Sequence, residues 1–277
     1  MNRFVPPDHR GLWRREVITA PGFRDETTRV LWLRTRTWYV DLRVPADRPA
    51  ARGGDGFAAY DEAELMALAR IQGFAGELAA RDGVCLWRRD LDHQPANGPP
   101  DEARCAVEGD LMVEDGLHAD YQEIWRREPD SAEPLAAFRL DGGQSAGLLV
   151  VGGRRMMEFV ARPGLAPVGA ALVELVGAEL AQGRRAAAEA LLATRIRYAE
   201  REACGRWVTQ LSSLPWLEGR PMWPQDTLRF DPAAGVLEGG AGEARAVWTL
   251  TDRPDPAESL ADLFSVLPQI APRADEH

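Results

Sequence analysis

Residues 37–44 alternate without interruption: Trp38, Val40, Leu42 and Val44 fall on one side of an extended chain, and Tyr39, Asp41 and Arg43 on the other. Only a β-strand, whose successive side chains point to opposite faces, turns that spacing into two distinct surfaces. One surface is wholly apolar; the other carries a phenol, a carboxylate and a guanidinium. The strand therefore lies between two environments. Pro45 stops it, and Thr35-Arg36 connects it to an earlier strand over residues 28–33.

The pattern recurs. Residues 74–79, 84–92, 104–113 and 117–127 also read as strands, separated by Arg81-Asp82-Gly83, a proline-rich stretch over 95–100, and Asp115-Gly116. The last is the sharpest hairpin signal, because a type I′ turn needs residues that tolerate positive φ. One helix interrupts the series after a glycine-rich loop over 48–57. Asp61 caps it, its apolar members are Leu65, Met66, Leu68, Ala69 and Ile71, and Gly73 ends it. Seven or eight strands to one short helix favour an antiparallel barrel or sandwich over an α/β domain.

Residues 128–134, rich in proline, acid and serine, are the most linker-like stretch and divide 1–130 from 131–277. The second unit follows the same plan. Strands are expected over 135–140, 147–151, 155–162, the later part of 191–200, 207–211, and a meander at 227–230, 235–238 and 244–250. Helical spacing of Leu172, Leu175, Val176 and Leu180 predicts a helix over 166–188. Asp255-Pro256-Ala257-Glu258 carries the cap, first-turn proline and capping-box acid of a last helix with Leu260, Leu263, Phe264 and Leu267. The expected fold is mainly β with a few helices, two antiparallel barrels in tandem. No residue-level repeat links the halves.

Charge and composition narrow the function. The 277 residues carry 43 acidic and 33 basic side chains, a formal net charge of -10, and every basic one is arginine. Lysine chemistry is excluded: no Schiff base, no phosphate-loop lysine. The acidic surplus argues against nucleic acid and anionic membranes as partners, since both require a basic face. The N-terminal segment has no apolar core of a signal peptide, so the chain is expected in the cytoplasm. Cys85, Cys105 and Cys204 form no ligand pair, and His9, His93, His118 and His277 lack metal-ligand spacing. No metal, cofactor or catalytic signature follows from the sequence. The Gly-Gly pairs read as turns.

Mixed strand faces in the first half are the more informative feature. Tyr39, Asp41 and Arg43 share one; Cys85, Trp87, Arg89, Leu91 and His93 a second; Leu117, Tyr121, Glu123, Trp125 and Arg127 a third. Pointing outward, they would form cross-strand ion pairs. Pointing into a closed barrel, they would line a cavity for a small amphipathic ligand, with arginine as a bidentate donor to a carboxylate or carbonyl. Tyr39, Arg43, Trp87, Tyr121, Glu123 and Trp125 are the expected ligand-binding lining.

Several strings together carry a resemblance: Gly11-Leu12-Trp13, Val30-Leu31-Trp32-Leu33, Tyr39 to Pro45, Gly73-Phe74-Ala75-Gly76, Trp87 with Asp92-His93-Gln94-Pro95, Tyr121 to Arg126, and Ser213 to Gly219. They resemble a bacterial branch of the family typified by the yeast Hrr-kinase-interacting protein, whose members look like paired lipocalin or calycin barrels. The resemblance is clearest before Arg127 and implies fold far more than activity. Gly11-Leu12-Trp13 also fits the Gly-x-Trp of a lipocalin's first strand, where tryptophan closes one barrel end.

Three functions stay open on this reading. The first is a non-enzymatic binding protein for a small hydrophobic or amphipathic molecule, which could bear a carboxylate. The second is an enzyme on the same scaffold, of decarboxylase, isomerase or lyase type, in which Glu123 or His93 moves a proton and Arg43 holds the substrate. The third is an interaction scaffold with no ligand, acting through its outer surface. The sequence does not fix the oligomeric state.

Overall fold

The computed structural model describes residues 9–95, 98–140, 146–164, 169–224, 227–240 and 245–252, together with Leu260 and Phe264. Nine strands form the first sheet: β1 (Gly11–Ala20), β2 (Phe23–Asp25), β3 (Arg29–Arg34), β4 (Trp38–Val44), β5 (Gln72–Arg81), β6 (Val84–Asp92), β7 (Asp101–Glu108), β8 (Leu111–Gly116) and β9 (Gln122–Arg127). All neighbours are antiparallel, and β1 pairs with both β3 and β9, so β1 and β3–β9 close into an eight-stranded barrel. Short β2 only extends the far end of β1. Closure pairs each of the eight strands on both sides along at least part of its length and gives each an inner and an outer face.

Helix α1 (Glu62–Leu68) starts on a capping box: Asp61 accepts from the Glu64 amide, and the Glu64 carboxylate accepts from the Asp61 amide. It ends before the predicted Gly73, because Gln72 already pairs with Arg43 in the barrel.

Two strands depart from expectation in ways that matter for the interior. The predicted strand over 104–113 is broken by a two-residue turn at Gly109-Asp110, where Gly109 adopts φ 60, and Glu108 pairs with Leu111 across it. Asp115-Gly116 instead continues β8, and the chain turns back over 117–121. Gly116 is needed there for space, since a Cβ would lie 2.3 Å from the Tyr121 ring. In β6 the register slips at Asp90, because Ala75 pairs with Leu91 and Gly76 with Arg89. Beyond this bulge the strand's parity inverts: Cys85 and Trp87 stay inside the barrel, whereas Leu91 packs outside.

The second unit is a half-barrel, whose strands are β10 (Leu135–Leu140), β11 (Gly147–Gly152), β12 (Arg155–Val160), β13 (Arg195–Arg201), β14 (Trp207–Ser212), β15 (Arg229–Asp231), β16 (Val236–Gly239) and β17 (Ala246–Asp252). They run in the order β14-β13-β12-β11-β10-β17-β16-β15. The helical stretch expected over 166–188 becomes α2 (Leu172–Ala181) and α3 (Arg185–Leu192), divided at Gly183 with φ 67. Leu260 and Phe264 of the expected last helix are helical and buried; its cap falls outside the described residues.

The apolar face of β4 points out of the barrel, yet away from water. Val40 and Leu42, with Leu31 and Leu33 of β3, pack against Leu148, Val150, Met157, Phe159 and Ile196 of the half-barrel and against α1–α3. Burying one such aliphatic side chain contributes about 1.5–3 kcal/mol. This core between the halves has an exact fit at Gly73, where a Cβ would lie 2.5 Å from Ile196 Cδ1. A second core covers the opposite face of the half-barrel, around Phe138, Trp207, Trp248 and Phe264. The third fills part of the barrel.

Candidate functional site

Strand parity puts Trp13, Trp32, Tyr39, Phe74, Trp87 and Trp125 inside the barrel. At one end of the barrel Trp13 pairs with Trp32 and Arg127 on the neighbouring strands. Trp13 is fully buried there, its Nε1 donating to the His9 carbonyl at 2.8 Å, with the Arg127 guanidinium 5.2 Å over its ring. Further along lies a cavity of about 170 Å³. Its walls include Arg43, Trp87, Tyr121, Glu123 and Trp125, five of the six residues expected from sequence.

Tyr39 is the exception. It is fully buried in the wall, its hydroxyl donating to the Arg88 carbonyl at 3.1 Å and its ring edge-on to Phe74. Residues outside the expected set complete the lining: Ile18, Trp32, Asp41, Phe74, Arg89, Asp101 and Glu114. Glu114 had a sequence signal, because it shares strand parity with the buried Met112; the predicted strand stopped one residue short of it.

The charged groups form a network. Arg43 Nε donates to Asp41 at 3.0 Å, and its Nη1 lies 3.5 Å from Glu123. Arg15 of β1 donates to Glu123 at 2.8 Å and to Asp25 at 3.0 Å. Arg89 donates to Asp101 at 2.6 Å and stacks 3.7 Å over the Phe74 ring. Burial pushes the Asp41 carboxyl up to about 6 although Arg43 opposes it. Glu114 faces Glu123 directly across β8 and β9. Burial, and then the Glu123 charge, hold Glu114 well above the usual carboxylate range, and Tyr121 donates to it at 2.9 Å. Among the described residues, three polar atoms of the lining are buried with no hydrogen-bond partner: Trp32 Nε1, Trp125 Nε1 and Glu123 Oε2.

Trp87, Arg89, Asp101 and Tyr121 also border an outer basin of about 950 Å³. The proline-rich stretch contributes Pro99 and Pro100 to it, and the half-barrel contributes Val173 of α2. His118 sits on its rim, 2.9 Å from Glu102. His93 lies elsewhere, buried where the two halves meet, with Arg162 donating to its carbonyl at 2.8 Å. Burial and the Arg162 charge push its imidazole down to about 3, so it is neutral and outside the cavity. In the enzyme alternative this leaves His93 no part in moving a proton inside the barrel, because the Asp90 bulge turned it out. Among the described residues, no group of three His, Cys, Asp or Glu stands where it could hold a metal ion, and no helix is long and apolar enough to cross a membrane.

These features define a closed antiparallel β-barrel with a charged, tryptophan-lined interior, joined to a half-barrel. The chain is similar in structure to the uncharacterized protein YLR301w from Saccharomyces cerevisiae, with a TM-score of 0.55 over 87% of this chain and 98% of that one, at 13% identity. That likeness is one of fold. No family model matches the sequence, and no curated protein does.

Proposed function

We propose that this protein binds a small amphipathic molecule inside the barrel. The observation that carries the reading is the combination of a 170 Å³ cavity with three buried, unpartnered polar atoms on its lining residues. A cavity of roughly 150 Å³ holds a benzene-sized molecule. Each buried polar group left unsatisfied costs about 1–3 kcal/mol, which an occupant able to pair with it would recover. The outer basin gives such a molecule an approach past Tyr121 and Trp87. Membership of the family resembled in sequence, a bacterial source and a cytoplasmic location belong to the same proposal.

The test uses the tryptophans as reporters. Single-ring compounds titrated into the protein should change its fluorescence saturably and raise its melting temperature, because a ligand bound only to the folded state stabilises it by mass action. A substitution that fills the cavity, Ile18→Trp, should abolish both effects. No saturable response from any compound overturns the reading.

A second reading rests on one observation. Glu114, its carboxyl raised by burial and by Glu123 facing it across the strands, and bonded to Tyr121, has the environment of a general acid. In that reading Glu114 is the acid of a small-molecule lyase or isomerase. Turnover of a bound compound, lost in Glu114→Gln with binding retained, distinguishes it from simple binding.

A further inference from the structure

The charges around the cavity are unequal in number. Arg43 is shared by Asp41 and Glu123, Arg15 by Glu123 and Asp25, and Arg89 by Asp101 and Asp92. Each of these three guanidiniums thus already serves two carboxylates. Among the described residues, Glu114 has no arginine within ion-pair distance, and Glu123 has one oxygen with no partner. An incoming carboxylate would have to displace an internal acid from its arginine, and would meet the uncompensated charge of the others.

The walls between these acids are aromatic. Trp32 lies 5.9 Å from Trp87 and 6.0 Å from Trp125, ring centre to ring centre, in tilted pairs. Tryptophan presents the most electron-rich face for a cation, and the attraction grows when water is excluded. Trp32 already carries the Arg34 guanidinium 5.6 Å over its ring, so acidic oxygens in surplus beside Trp87 and Trp125 are the recognition elements for an organic ammonium group. The two unpartnered indole N–H groups are donors, and they suit an oxygen elsewhere on the same ligand.

We propose, resting on the binding reading above, that the cavity's occupant is a small organic cation: a ring-sized amine bearing a hydroxyl or carbonyl oxygen. Its ammonium is held by Glu114 and Glu123 against the Trp87 and Trp125 rings, and its oxygen accepts from Trp32 or Trp125. The expectation of a carboxylate-bearing ligand held by Arg43 is thereby replaced, because Arg43 is already taken.

A matched series tests it. Tyramine, 4-hydroxyphenylacetate and 4-ethylphenol share a ring and a phenolic oxygen and differ at the opposite end in being cationic, anionic and neutral. Titrated calorimetrically into the full chain at pH 7.5, tyramine should bind at least tenfold tighter than the other two. Glu114→Gln keeps the side chain's size and shape, so it should fold like the parent, a point checked by its melting curve. It should weaken tyramine at least tenfold and leave 4-ethylphenol unchanged. Equal or tighter binding of the anion or the neutral phenol overturns the cation assignment and leaves the binding reading standing. If none of the three binds, the protein purified from its own host decides: a retained anion or neutral molecule overturns the cation assignment alone, and no retained molecule overturns both.

Discussion

Glu114 and Glu123 face each other as a direct cross-strand pair in the interior of the barrel, the first bonded to a tyrosine and the second to two arginines. Like charges directly opposite one another destabilise a sheet, and burial amplifies the effect. The repulsion shows in the Glu114 carboxyl, which burial and then the Glu123 charge raise well above the usual carboxylate range. A fold that keeps such a pair, beside the similarly perturbed Asp41, has given up stability at neutral pH for a charged interior.

That cost should appear in the pH dependence of stability. A carboxyl whose folded value is raised contributes stability below its unfolded value and loses it as pH rises through the folded one. For Asp41 the window runs from 3.8 to about 6. At about 1.4 kcal/mol per unit, the effect is on the order of 3 kcal/mol. Urea unfolding of the parent and Asp41→Asn, which keeps an acceptor for Arg43, should show the variant gaining that much relative stability between pH 4 and pH 7. A difference independent of pH contradicts the assignment.

Glu158 of β12 behaves in the opposite sense. Burial raises its carboxyl, but Arg195 at 2.9 Å and Arg197 at 2.7 Å outweigh burial and bring it down to about 2. Its contribution is present above 4.5 and lost as pH falls through 2. Glu158→Gln leaves Arg197 buried without its counter-ion and should destabilise the protein by about 3–5 kcal/mol, measured by urea unfolding at pH 7. A loss below about 1 kcal/mol would mean the arginines find another partner.

The core between the halves ties their stabilities together. Leu42→Ala removes a fully buried side chain from the barrel's outer face and should cost about 2–5 kcal/mol. Because the half-barrel packs on the same cluster, tryptophan fluorescence and far-ultraviolet circular dichroism should follow one coincident transition in parent and variant alike. Two separated transitions would show the halves to be independent.

Gly116→Ala tests how the wall between cavity and basin is held. The added Cβ would lie 2.3 Å from the Tyr121 ring and 2.6 Å from the Ala119 carbonyl oxygen. Tyr121 must move, giving up its bond to Glu114. Overpacking of this kind costs typically about 1–3 kcal/mol, and a bound ligand should dissociate faster in stopped-flow fluorescence. An unchanged dissociation rate would show that Tyr121 does not hold that wall.

Much of the barrel is legible in the chain because alternation is local. The 37–44 stretch announces a strand between two environments, and both faces are indeed buried, one in the barrel and one against the half-barrel. What escapes local reading is parity after a slip. Asp90 carries no sign that it is the extra residue of a bulge, so Leu91 and His93 are read onto the wrong face. Asp115-Gly116 has the composition of a turn, yet its glycine serves the Tyr121 ring, while the less conspicuous Gly109-Asp110 makes the hairpin. That displacement hides Glu114, and with it the acidic surplus that shapes the cavity. Trp32 is hidden differently: in Val30-Leu31-Trp32-Leu33 both faces are apolar, so periodicity cannot tell interior from junction.

The central claim is that the barrel holds a ligand, and native mass spectrometry of the protein gently purified from its own host tests it most directly. The parent should carry a discrete extra mass, absent from Ile18→Trp prepared the same way and folded to the same melting curve. A bare chain in both preparations, or the same adduct on both, would contradict the account.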